Sequence, residues 1–240
     1  MPALGTAAPA AVLVALLLLD LTTRVTPAGW AVGLLCAAVL GLLVERALTR
    51  HRVTVPGPAD RVTALRAVLG CALAAVVADT FTGVAATPLL VGLATVTLLL
   101  DAVDGPVARR TGTASTFGAA FDMEVDAFVL LVLSVAVAGT VGPWVLVVGA
   151  ARYALLLATR LWPWLGRPVP VRYWAKVVAA TQGVALTVAT AQLLPPPVTD
   201  LVLLGAVALL AESFGHQVWW LLRHRDVTSV ATRLRVGTSP

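Results

Sequence analysis

Five of the twelve acidic residues in this 240-residue chain fall in one short stretch: Asp101, Asp104, Asp122, Glu124 and Asp126. On a helix, Asp101, Asp104, Gly105 and Ala108 stand at i, i+3, i+4 and i+7, which is one face. Gly118, Asp122 and Asp126 stand at i, i+4 and i+8, again one face, while Glu124 falls on another. The short turn from Arg110 to Thr116 joins these two helices as a hairpin, so the four aspartates are expected at similar depth and pointing at each other. Carboxylates gathered in this way repel one another unless cations neutralise them. An oxygen-only ligand set with no His or Cys selects Mg²⁺, Mn²⁺ or Ca²⁺ over zinc. Two metals shared by four carboxylates stabilise charge on both sides of a phosphoryl displacement. Gly105, Ala108 and Gly118 leave room on the same faces for a bulky ligand, and Arg109 adds a positive charge suited to phosphate. Pro106 would free the carbonyl of Ala102 and kink its helix, which is tolerable where water or a ligand satisfies that carbonyl.

The elements that must position these residues follow from composition. Hydrophobic residues make up 59% of the chain and charged ones only 12%, against about 25% charged in an ordinary soluble domain. That is too little polar side chain to coat a globule, so the chain reads as an all-α polytopic membrane bundle. Cys36 and Cys71 both lie in apolar stretches, which excludes a disulfide scaffold. A bilayer core about 30 Å thick needs roughly 20 apolar residues per helix. Eight candidate spans satisfy this, at about 6–22, 28–45, 64–80, 87–106, 117–139, 143–160, 175–193 and 199–222. Each aspartate placed in the hydrocarbon costs about 2.5–3.5 kcal/mol, so four uncompensated ones would cost on the order of 10 kcal/mol. Something must bind there.

The basic residues alternate between connections. Arg46, Arg50, Arg52 and Arg61 share one; Arg109 and Arg110, Arg167 and Arg172, and the tail with Arg223, Arg225, Arg233 and Arg235 mark the others of that set. The intervening connections are nearly bare, with Arg24 alone in the first. Every second loop is therefore expected in the cytoplasm, with both termini there. The formal charge of +5 thus marks loops, and no nucleic-acid partner is expected. The first span lacks a basic leader and a small-x-small cleavage site, so it reads as a retained helix. Charge, Pro and Gly concentrate at residues 46–62. The expected organisation is a transmembrane pair at 1–46, a cytoplasmic linker at 47–59, a six-helix core at 60–222 and a basic tail at 223–240.

The acidic stretch reads Asp101-x-x-Asp104-Gly105-x-x-Ala108-Arg109, eight residues, then Gly118-x-x-x-Asp122-x-x-x-Asp126. It resembles the complete signature of the CDP-alcohol phosphatidyltransferase family, with every fixed position filled at the family's spacing. Asp60-x-x-Thr63-x-x-Arg66 resembles the segment that opens the family's first core helix. The resemblance covers roughly residues 60–222. It implies transfer of a substituted phosphate from a CDP-linked donor to an alcohol, with release of CMP. It further implies that Asp101, Asp104 and Asp122, with Asp126 beside them, hold two divalent ions, Mg²⁺ or Mn²⁺. Asp126 is implied as the general base, and Asp60, Thr63, Arg66, Gly105, Ala108, Arg109 and Gly118 as the nucleotide and diphosphate site. A homodimer is implied too. The two helices before residue 46 depart from the minimal family plan.

The donor implied is CDP-diacylglycerol or another CDP-alcohol, and the acceptor is a small alcohol. Arg152 lies midway along a span, where a cation must be paired or line a cavity. Arg110, Arg160 and Lys176 are further candidates for holding an acceptor phosphate. Other readings of the same residues are a structural ion-pair network of the aspartates with Arg109 and Arg110, and a Thr63 hydroxyl bonded only to its own helix. At the level of function, the alternatives are a soluble CDP-alcohol donor with a lipid acceptor, and an ion-coupled transporter.

Overall fold

The computed structural model describes residues 3–51, 57–84, 87–111, 115–167, 169 and 173–223; the side chains of residues 3–8, 47–48, 50–51, 104–111 and 173 lie outside the description. Eight α-helices account for nearly all of it, and no strand occurs among the described residues. They are α1 (Ala3–Thr23), α2 (Pro27–His51), α3 (Pro58–Thr80), α4 (Thr87–Thr111), α5 (Thr116–Val141), α6 (Leu146–Leu161), α7 (Tyr173–Ala191) and α8 (Pro196–Arg223). Short 3-10 turns at Pro143–Val145 and Pro163–Gly166 flank α6.

Each expected span coincides with one helix. Five segments are long and apolar enough to cross a membrane: Pro27–Arg46, Pro58–Thr80, Thr116–Val141, Pro143–Leu161 and Pro196–Arg223. The apolar runs described in α1 and α4, Pro9–Thr23 and Thr87–Val103, are shorter. In α4 the described run already includes Asp101. The helix nevertheless continues past Pro106 to Thr111.

Local signals set the ends that matter for the site. Pro58 opens α3, where a missing N–H costs nothing. Asp60, in the first turn, accepts the Gly57 N–H at 2.8 Å. Ser115 caps α5 by accepting the Gly118 N–H at 2.9 Å, satisfying one of the free donors of a helix start.

The organising helix is α3. It packs against α1, α2, α4 and α5, which buries most of its length and leaves only Pro58, Arg61 and Leu65, near its start, exposed. Val68, Cys71 and Ala75 meet Val12, Leu16 and Ala37 of the first two helices, while Ala67, Ala74 and Val77 join Phe117, Phe121, Val125 and Val129 of α5. Beyond this centre, α7 packs on α4, α5 and α8, and α6 packs on α5.

A buried polar tie joins α1 and α2 to α3. Asp79 is 4% exposed and accepts the Thr26 hydroxyl at 2.5 Å and the Thr26 N–H at 3.3 Å. Thr26 in turn accepts the Gly29 N–H at 3.3 Å, capping α2. Gly29 has no side chain because there is no space for one: a Cβ there would lie 2.8 Å from Asp79 Cγ.

Candidate active site

Three helices meet at one buried cation. Arg66, on the third turn of α3, is 2% exposed. Its Nη2 lies 2.8 Å from Asp101 Oδ1 of α4 and also contacts Asp126 Oδ1 of α5. Its Nη1 donates to Asp122 Oδ1 at 2.6 Å. The carboxylates of Asp101, Asp122 and Asp126 offer oxygens within 4.8 Å of one another. Each is about one-third exposed, so the cluster opens to solvent on one side while Arg66 closes the other.

The convergence follows from depth as well as facing. At 1.5 Å per residue, Arg66 lies about 12 Å from the start of α3, Asp122 about 9 Å and Asp126 about 15 Å from the start of α5, and Asp101 about 15 Å from the end of α4. These three helix ends belong to the same side of the bundle, so the groups share a level.

Around this core the expected donor residues fall as follows. Asp60 is buried and Gly118 lies against it; a Cβ at Gly118 would come 2.6 Å from Asp60 Oδ1 and 3.1 Å from Ser115 Oγ. The glycine is therefore what lets α5 start beside α3. Thr63 is buried and donates to the Ala59 carbonyl at 3.2 Å, the bond to its own helix weighed above. The backbone of Asp104, Gly105, Ala108, Arg109 and Arg110 belongs to α4, but their side chains lie outside the described residues.

Three of the acceptor candidates, Arg152, Arg160 and Lys176, have described side chains. Arg152 of α6 is paired with Glu124 of α5. Glu124 is two residues from both Asp122 and Asp126, or about 160–200° around the helix from them. The Arg152–Glu124 pair thus occupies the opposite flank of α5, with side chains 25% and 44% exposed. Arg160, in the last turn of α6, and Lys176, in the first turn of α7, are exposed.

Two pairings were not read from the sequence. Arg66 was expected at the nucleotide and is found among the aspartates; its depth on α3, matched to theirs, is the signal that points there. Glu124 was read only as lying off the aspartate face, and its spacing gives no indication of Arg152.

The donor set fits a divalent ion. It is all oxygen, hard and negatively charged beyond what one guanidinium neutralises, and its ligand atoms are close enough to share a cation. Fold and site together define a multi-helix protein of membrane type with an acidic centre capable of holding metal. Residues 58–219 match the CDP-alcohol phosphatidyltransferase family, and the chain belongs to that family. No curated protein and no solved structure gives a significant match. The family is one of transferases, which gives no support to the transporter reading.

Proposed function

We propose that this protein is an integral membrane transferase of phospholipid biosynthesis. It moves a phosphatidyl group from CDP-diacylglycerol to a small polyol or polyol phosphate and releases CMP. The observation that carries the reading is the convergence of Asp101, Asp122 and Asp126 from two helices, at the family's spacing, in a chain that is otherwise poor in acids.

In this reading Asp101, Asp104, Asp122 and Asp126 hold Mg²⁺ or Mn²⁺, two ions in the full site. Bound there, the ions neutralise charge on the donor diphosphate and on the departing CMP. Asp126 accepts the proton of the acceptor hydroxyl as that oxygen bonds to the β-phosphorus and the bond to the CMP oxygen breaks. Asp60, Thr63, Arg66, Gly105, Ala108, Arg109 and Gly118 form the nucleotide and diphosphate side. Arg110, Arg160 and Lys176 are the basic groups assigned to an acceptor phosphate, and Arg152 joins them only when its pair with Glu124 opens.

The alternation of arginines supports a multi-pass chain in the cell membrane with both termini and the active site at the cytoplasmic face, where CTP-derived donors are made. It equally supports residues 1–46 as an accessory pair, 47–59 as a linker, 60–222 as the catalytic core and 223–240 as a basic tail. A homodimer is part of the family reading, and the half-exposed Glu124–Arg152 flank is a charged surface that a second copy would shield from lipid.

The test is CMP release by purified protein with Mg²⁺ or Mn²⁺. Radiolabelled CDP-diacylglycerol is offered with glycerol 3-phosphate, inositol phosphate, inositol or serine; soluble CDP-alcohols are offered with diacylglycerol. Release that depends on one acceptor with the lipid donor is the expected result. Release only from a soluble CDP-alcohol would exchange donor and acceptor classes, and release from neither class would end the transferase reading.

A further inference from the structure

The cation at the centre of the aspartate cluster belongs to the chain itself. Asp101 and Asp126 both direct an Oδ1 at Arg66 Nη2, and Asp122 directs one at Nη1. These are the same three carboxylates whose oxygens lie within 4.8 Å of one another. The guanidinium is buried behind them with 2% exposure. Three carboxylates held together with no cation would repel one another, and removing one partner from an ionic group that includes the buried guanidinium leaves charges uncompensated. A guanidinium has five N–H donors in a fixed fork, so one side chain can hold several carboxylates at once.

We propose that Arg66 is the resident counter-cation of this site: it holds Asp101, Asp122 and Asp126 together in the cation-free protein and competes with divalent ions for them. The inference rests on the reading of these aspartates as metal ligands. A divalent ion such as Mg²⁺ takes carboxylate oxygens at about 2.0–2.1 Å. A guanidinium held against all three carboxylates repels a second cation at their shared centre and occupies lone pairs of the three Oδ1 atoms, so binding of the ion weakens the Arg66 bonds and the two compete. Among the described side chains three carboxylates face one guanidinium, so negative charge is in excess and attracts a divalent ion while the cluster stays assembled without it.

The experiment measures Mn²⁺ binding to the purified full-length protein in detergent, by the paramagnetic signal of free Mn²⁺. Wild type is compared with Arg66→Lys and Arg66→Gln, and thermal unfolding of each is followed in EDTA and in Mn²⁺. Arg66→Gln is expected to bind Mn²⁺ on the order of tenfold tighter than wild type, with Arg66→Lys in between, since one ammonium reaches fewer oxygens. In EDTA, Arg66→Gln is expected to unfold at lower temperature than wild type, and Mn²⁺ is expected to recover more of its stability than it adds to wild type. If Arg66→Gln does not fold, Arg66→Lys decides the matter by binding tighter than wild type or not. Equal or weaker binding by the variants, with wild type binding Mn²⁺, would overturn the competition and leave the metal site standing. No Mn²⁺ binding by any of the three would overturn the metal reading and the proposal with it.

Discussion

At the scale of single residues, the site is a problem in charge compensation that the chain solves with one arginine. Asp101, Asp122 and Asp126 come from two helices, and Arg66 comes from a third to meet them. The close approach that permits this is at Gly118, where a side chain would collide with the carboxylate of Asp60. Gly118→Ala is therefore expected to push the start of α5 away from the start of α3. Overpacking of this kind costs about 1–3 kcal/mol, and the thermal midpoint in detergent should fall accordingly. CMP release should fall with it, because Asp122 and Asp126 follow on the same helix. An unchanged midpoint and an unchanged rate would show that the approach has slack. The common facing of Asp101, Asp122 and Asp126 was legible in the sequence because helical period decides it, while the side chain of Asp104 lies outside the described residues. The partners of Arg66 and Arg152 were not, because they depend on how each helix is rotated against its neighbours.

At the scale of elements, the eight helices were legible to within a few residues at most ends. Runs of apolar residues broken by Pro, Gly and charge give the length of a helix directly. The relation of α1 and α2 to the rest was not legible in the same way. Residues 46–62 look like a boundary, yet both helices lie against α3, and Asp79 holds the start of α2 through Thr26. Asp79 sits at the end of the apolar run that follows Arg66 on α3, and its partner is 53 positions away, a pairing that no local pattern announces. Thr26→Ala removes both the cap of α2 and the hydroxyl donated to Asp79. The expected loss is about 1–2 kcal/mol, the usual range for a helix cap, read as a lower unfolding temperature. Thr26→Ser keeps the hydroxyl and is expected to stay close to wild type. Equal losses in the two variants would mean that the threonine methyl, not the hydroxyl, carries the tie.

At the scale of the whole molecule, α3 is the member that both halves share. One side of it receives the N-terminal pair, and the other presents Arg66 to α4 and α5. The buried charged groups of α3, Asp60, Arg66 and Asp79, lie where it meets its neighbours. The central claim is that the aspartate cluster performs a cation-dependent transfer, with Asp126 taking the acceptor proton. The most direct measurement is CMP release from CDP-diacylglycerol, in the presence of the active acceptor, by wild type and by Asp126→Asn, each with Mg²⁺ and with EDTA. The account predicts release by wild type only with the cation, and a fall of roughly 100-fold or more in Asp126→Asn even at saturating Mg²⁺. Wild-type release that persists in EDTA, or an Asp126→Asn variant as fast as wild type, would contradict it.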